Sequence, residues 1–146
     1  MPEKGARPDQ PDLAVITPAL VLDGFGLFGQ RKLLSLSVLV VGSGGIGSTL
    51  LLFLAASNVG RITVVNHNDV EVYNLRRQVI HTEGRRGMSK ARSACNAMRA
   101  LNPIASVTAV TEPLTSDNAM KLLRGNNCVV NTSDNPCTWY LINDRP

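Results

Sequence analysis

Residues 42–47 read Gly-Ser-Gly-Gly-Ile-Gly and stand between two apolar segments of different character. Ser37-Val-Leu-Val-Val41 precedes them, and Ser48-Thr-Leu-Leu-Leu-Phe-Leu-Ala-Ala56 follows. A short β-branched run, a glycine turn and a longer apolar run predict a strand, a tight turn and a helix. Each glycine has its own task in such a unit. Gly42 lets the chain turn sharply off the strand, Gly44 has no Cβ and so admits a phosphate close to the backbone, and Gly47 lets the helix pack on the strand. The free amides at the helix start then face the anion, backed by the helix dipole. Alone, this feature implies a nucleotide-phosphate cradle. It leaves the nucleotide and the reaction open.

The rest of the chain continues the alternation. Residues 1–12, rich in Pro, Gly and charge, predict a disordered tail, and 13–23 are ambiguous. A helix is predicted over Phe28–Leu36 and a strand over Val38–Val41. The helix over 46–57 is apolar nearly all round, which predicts burial against a sheet, and Asn58-Val-Gly60 stops it. Arg61–Val65 completes a strand-helix-strand unit. A further helix begins near Ser89, with Ala91, Ala94, Cys95, Met98 and Leu101 on one face, and Asn102-Pro103 ends it. Ser106–Thr111 is a third strand, and Ser116 is expected to cap a short helix that stops at Gly125. Asn127–Asn131 is a fourth strand, with Asp134 just beyond its carboxyl end. The expected fold is α/β: a Rossmann-like, doubly wound, mostly parallel sheet with helices on both faces, occupying residues 13–146.

Composition narrows the function classes. The chain has 146 residues, 44% of them apolar and 18% charged, which fits one globular domain. Its net charge of +4 is concentrated between Arg76 and Arg99, where Glu83 is the one acid. Six aromatics, not interleaved with those bases, argue against a nucleic-acid partner. Leu13–Leu22 is interrupted by Pro18, and Leu36–Ala56 contains four glycines, so neither reads as a signal peptide or a membrane span. A cytoplasmic protein with no membrane partner is expected. Cys95, Cys128 and Cys137 form no CxxC pair and are expected as small buried or half-buried hydrophobes rather than zinc ligands.

Four groups of residues could carry chemistry. A nicotinamide site would place an acid at the tip of the second strand to accept from the ribose hydroxyls, but that position is Asn66, and Asp69 and Glu71 come later in the loop. Asn74-Leu-Arg-Arg-Gln78 sets two guanidiniums between two amides where a phosphate chain would extend, with Arg77, Asn74 and Gln78 the favoured binders. Lys90, in the first turn of its helix, could reach a β- or γ-phosphate. Asp134 could hold Mg²⁺ jointly with phosphate and water, or cap the helix over 135–143. His67 and His81 have no carboxylate or nucleophile at informative spacing and are expected as polar loop residues.

Taken together these residues resemble the MoeB/ThiF/HesA family, the ATP-dependent activators of ubiquitin-like proteins. The resemblance spans about Gly24 to Asp144. It rests on Gly29-Gln-Arg-Lys, Val40-Val-Gly-Ser-Gly-Gly-Ile-Gly, Leu54-Ala-Ala-Ser-Asn-Val-Gly-Arg-Ile, Asn74-Leu-Arg-Arg-Gln-Val-Ile-His81, Gly87-Met-Ser-Lys90, Leu101-Asn-Pro103 and Thr132-Ser-Asp-Asn135. It implies adenylation of the C-terminal glycine of a ubiquitin-like or sulfur-carrier protein ending in Gly-Gly, by a homodimer or heterodimer. ATP and Mg²⁺ are the implied cofactors. Gly42, Gly44, Gly45, Gly47 and Asn66 would lie against the nucleotide, Asn74, Arg77, Gln78 and Lys90 along its phosphates, and Asp134 on the metal. Arg77, Lys90 and Asp134 would be the catalytic set.

Several positions depart from the family pattern. Asn66-His67-Asn68 replaces an Asp-x-Asp, Pro18 stands where an arginine reaching the partner subunit's ATP belongs, and Trp139 stands where arginine is common. The sequence ends at Asn143-Asp-Arg-Pro146 where the family continues, so a partial domain, truncated on its C-terminal side, is expected. The alternatives are a truncated or degenerate homologue that binds ATP or a partner without turnover, and a nicotinamide-dependent oxidoreductase.

Overall fold

β1 (Ser37–Val41) is apolar at four of its five positions and buried at all five, as a strand covered on both faces must be. It lies inside a four-stranded sheet ordered β3-β2-β1-β4, where β2 is Arg61–Val65, β3 Ser106–Val110 and β4 Cys128–Asn131. Every pairing is parallel, with Val41 opposite Val65 and Asn131. This computed structural model describes residues 23–144. The tail expected at 1–12, the ambiguous stretch up to Leu22 and the departure at Pro18 lie outside the described residues.

Strand pleating divides the core in two. Val38, Val40, Ile62 and Val64 pack with Leu51 and Ala55 of α2 (Gly45–Ala56) and with Ala91, Ala94, Cys95 and Met98 of α3 (Lys90–Leu101). Leu39, Val41 and Val65 face the other way, toward Ala119 and Leu123 of α4 (Ser116–Leu123) and Ile142 of α5 (Pro136–Asn143). Before β1 runs α1 (Gly26–Ser35), which begins two residues ahead of the expected start. Helices on both faces of a parallel sheet make the doubly wound architecture that the alternation predicted.

Four expectations are corrected. The outer side of α2 is not covered: Ile46 is 75% exposed and Phe53 68%, while Gly47, Ser48, Leu51 and Ala55 are buried and Leu50, Leu52 and Leu54 pack in part against the core. The helix at 116 is capped by Thr115 rather than Ser116, in a reciprocal box with Asn118. Asn135, not Asp134, caps α5, its side chain accepting from the Cys137 amide at 2.9 Å. Cys95 is buried as expected, but Cys128 starts an edge strand of the described sheet and Cys137 sits at a helix start, so both are exposed.

The two helices that carry the candidate site residues are tied together at their far ends. Asn58 ends α2 in the left-handed region, at φ 60°. Asn102, just after α3, donates from Nδ2 to the Ala55 carbonyl at 2.9 Å and to Asn58 Oδ1 at 2.7 Å, all of it buried. Asn102→Ala leaves two buried acceptors without that donor, which should cost about 1–3 kcal/mol. A lower urea midpoint at unchanged m-value is the expected result.

Candidate functional site

The chain leaves β1 toward one face of the sheet, into α2, and leaves β4 toward the other, into α5. Their carboxyl ends therefore part and open a crevice, the place where open α/β sheets bind ligands. A cavity of about 590 Å³ lies there, within the range of small-molecule sites. Gly42, Gly44, Gly45, Asn66, Asn74, Arg77, Gln78, Lys90 and Asp134 all line it. Of the residues that the family resemblance sets against the nucleotide or the metal, only Gly47 does not, since it is buried behind the turn in α2.

The turn is shaped by what its glycines lack. Gly42 adopts φ +102°, and a Cβ there would lie 2.8 Å from Thr132 Oγ1. A Cβ on Gly47 would run into the Gly42 carbonyl oxygen, so α2 can begin directly under the turn only with glycine at that place. Gly44 and Gly45 differ. Their absent Cβ atoms would make only ordinary contacts, at 3.7 Å from Gln78 Nε2 and 3.8 Å from the Arg77 carbonyl. Gly44 is the N-cap of α2 and supplies no side-chain cap. Among the described residues the amides of Gly44 and Gly45 meet no acceptor, which leaves the positive end of the helix open to the cavity. Thr132, at the end of β4, closes the other side by donating its hydroxyl to the Val41 and Gly42 carbonyls, at 3.1 and 3.0 Å.

Lys90 is delivered by a loop pairing that sequence spacing did not show. Residues after β2 run antiparallel to those before α3: Asp69 bridges Ser89, the Val70 amide donates to Met88 and the Lys90 amide donates to Asn68. This clamps the start of α3 to the cavity and buries the lysine to 7% exposure. Burial pushes its ammonium below the ordinary lysine value; Glu71 and Asp134 oppose the shift, and Arg77 adds to it. Among the described residues no carboxylate lies within ion-pair distance of Lys90; Arg86 and Glu83, 3.8 Å apart and exposed, are the pair formed there. A buried cation without a partner anion is costly.

The basic segment divides by role. Asn74 is buried and accepts from Arg77 Nη2 at 3.1 Å, which holds the guanidinium at the cavity. Gln78 is also buried and lines the cavity, and its Oε1 meets no donor among the described residues. Arg85 turns inward, with Nη1 on the Ile80 and Ser93 carbonyls. Asn66 Oδ1 accepts from the Asn68 amide at 2.9 Å, in a turn local to the strand tip. Asp134 stands exposed at the rim, and among the described residues no three His, Cys, Asp or Glu side chains gather around a metal position. Trp139 reaches back to donate from Nε1 to the Ser133 carbonyl at 2.9 Å, bracing the loop that carries Asp134.

His67 is an exposed loop residue at the cavity, as expected. His81 is not: it is 4% exposed and bonded through both ring nitrogens, to Ser93 Oγ at 2.8 Å and to the Ser43 carbonyl at 2.9 Å. Burial, with Lys90 and Arg85 nearby, pushes its pKa below 6.5 despite the Ser43 bond, so the ring is neutral at neutral pH. The signal for this residue was positional. It closes the Asn74–His81 block, three residues past the buried amide of Gln78.

A parallel, doubly wound sheet whose switch point carries a glycine turn, free helix amides and a buried cation is the arrangement in which open α/β sheets receive anionic ligands. The ThiF family model matches residues 17–145, and the chain belongs to that family. It is 41% identical over 142 residues to the adenylyltransferase and sulfurtransferase MOCS3 of Arabidopsis thaliana, covering 97% of this chain and 30% of the relative. With MOCS3 of Mus musculus it shares 46% identity over 125 residues, 86% of this chain and 27% of the relative. The fold is similar to that of the E. coli tRNA N6-threonylcarbamoyladenosine dehydratase TcdA solved with ATP, at TM-score 0.73 and 28% identity, over 84% of this chain and 48% of that one. The chain thus spans about 30% of the length of the Arabidopsis relative. Among the described residues no helix is long and apolar enough to cross a membrane.

The depressed Lys90 pKa has a measurable consequence. The folded state refuses the proton that the unfolded state still holds between the depressed value and 10.5, so stability should rise with pH through that interval. Denaturation midpoints measured from pH 8 upward should show this rise in the wild type and lose it in Lys90→Met. A rise of the same size in both would place its origin elsewhere.

Proposed function

We propose that this domain binds ATP and adenylates the C-terminal glycine carboxylate of a ubiquitin-like or sulfur-carrier protein. The observation that carries the reading is the juxtaposition, in one cavity, of Lys90, Arg77 and the unpartnered Gly44 and Gly45 amides. In that reaction a carboxylate oxygen forms a bond to the α-phosphorus, the bond from that phosphorus to the β-bridging oxygen breaks, and pyrophosphate leaves with the electron pair. Two anions must meet, so positioning and charge neutralisation are the main contributions to rate. Lys90 and Arg77 would hold the phosphate chain, Asn74 would orient Arg77, and Gly44 and Gly45 would donate backbone N–H groups. Asp134 would hold Mg²⁺, a cation that takes one or two carboxylates and fills its other positions with phosphate and water. The relatives support the reading: the MOCS3 proteins are adenylyltransferases, and TcdA has been crystallised with ATP and with AMP. A second subunit, of the same chain or a homologous one, belongs to the proposal, as do residues 13–146 as one partial nucleotide-binding unit.

One observation favours a second reading, nucleotide binding without turnover. Asn66 Oδ1 already accepts from the Asn68 amide, and an uncharged amide is a weaker ribose anchor than a carboxylate.

ATP–pyrophosphate exchange with a Gly-Gly-tailed β-grasp protein separates the two. Carrier-dependent exchange, lost about 100-fold or more in Arg77→Ala, is the expected outcome for adenylation. ATP binding without exchange by the chain and its partner subunit would leave the binding module. On either reading Asn66→Asp should tighten ATP by about 10-fold through a charge-assisted ribose bond, measured by calorimetry.

A further inference from the structure

We infer that His81 is a positioning residue that sets the orientation of the peptide between Ser43 and Gly44, so that the Gly44 amide, not a carbonyl, faces the phosphate. This role rests on the nucleotide-binding function proposed above. It concerns a residue that lies behind the cavity wall and touches no ligand itself.

The geometry follows from peptide planarity. The Ser43 carbonyl and the Gly44 N–H belong to one trans unit and point in opposite directions. The carbonyl is turned into the protein, where it accepts from His81 Nε2 at 2.9 Å and from Ser48 Oγ at 3.3 Å. The Gly44 N–H is therefore turned outward, on the side where Gly44 lines the cavity, and it meets no acceptor among the described residues. Glycines on both sides of Ser43 leave the backbone free to rotate this peptide by half a turn. In the rotated form an oxygen would face the phosphate, and repulsion would replace a charge-assisted hydrogen bond. Something must hold the peptide, and His81 supplies the shorter of the two bonds that do.

The same contacts fix the tautomer of the ring. A carbonyl oxygen only accepts, so Nε2 carries the proton, and the neutral ring leaves Nδ1 to accept from the Ser93 hydroxyl at 2.8 Å. Ser93 lies on α3 one turn beyond Lys90, and its own carbonyl accepts from Arg85 Nη1 at 3.2 Å. The helix that presents Lys90 thus also aims, through Ser93 and His81, the amide of the glycine turn. Both donors to one phosphate chain are set by a single element.

Calorimetry with ATP and with adenosine tests this on wild type, His81→Leu and His81→Gln. His81→Leu should weaken ATP by about 10- to 100-fold, the worth of one hydrogen bond to a charged group, and leave adenosine unchanged. His81→Gln, which carries an amide N–H near the place of Nε2, should recover most of the loss. Equal weakening of ATP and adenosine would mean a merely structural histidine and would overturn the inference, as would unchanged ATP affinity in His81→Leu. Wild type that binds no ATP would instead sink the nucleotide reading. The ring itself supplies a readout independent of nucleotide: two-bond ¹H–¹⁵N correlation should show Nε2 protonated and Nδ1 bare at neutral pH. The opposite tautomer would refute the clamp. Should His81→Leu not fold, Ser93→Ala removes the donor to Nδ1 and is expected to mix the tautomers and weaken ATP selectively.

Discussion

A helix and a carbonyl oxygen share the space that a methyl group on Gly47 would fill. Because that space is empty of side chain, α2 starts directly beneath the turn that ends β1, and its first amides come out at the carboxyl edge of the sheet. The rest of the crevice is referred to this contact. Thr132 can bind the Val41 and Gly42 carbonyls only if β4 pairs with β1 in the observed register, with Asn131 beside Val41. A one-residue slip would turn the face of β4 and withdraw the hydroxyl. The close approach of a helix to a turn thus sets a strand register ninety residues away.

The crevice is built against the preferences of an empty protein. Lys90 is buried without an anion, Gln78 Oε1 is buried without a donor, and two helix-end amides have no cap. Each would be better satisfied in water or by a neighbouring side chain. The rest of the fold compensates with well-packed apolar layers on both sides of β1 and with the Asn102–Asn58 tie that holds α2 to α3. Gln30 Nε2, Ser43 Oγ and Ser89 Oγ are also buried without partners, but Lys90, Gln78 and the two amides are gathered on one cavity.

Most of the architecture was legible because it depends on local signals. Apolar period, glycine stops and Asn-Pro placed the four strands and five helices within a few residues, and the glycine turn placed the crevice. The errors have a common physical origin. Periodicity reports how apolar a helix is, not how many layers cover it, so Ile46 and Phe53 were read as buried. A capping hydroxyl can sit at either of two adjacent positions, and Thr115 rather than Ser116 has the extended backbone that a cap needs. His81 lies in a loop as expected, but its burial is not legible because its partners, Ser43 and Ser93, lie 38 and 12 residues away and no spacing rule joins them. The antiparallel bridge between Asp69 and Ser89, which delivers Lys90, was invisible for the same reason.

Asn66 shows how one atom can divide two functions of a site. A carboxylate at the strand tip has two acceptor oxygens, one for the Asn68 amide and one for a ribose hydroxyl. The amide has one acceptor oxygen; the turn uses one of its two lone pairs, so a ribose hydroxyl must share that oxygen with the Asn68 amide. The amide can accept through that shared oxygen or offer its N–H, and neither contact carries the charge that a carboxylate would lend the ribose bond. The exchange also removes a negative charge from a site where Asp134 and Glu71 already act on Lys90, and it leaves the potential around that lysine more positive. Phosphate binding therefore gains a little while ribose binding loses more. On the proposed function, the hold on nucleotide shifts from the sugar toward the phosphate chain, and with it onto the peptide that His81 orients.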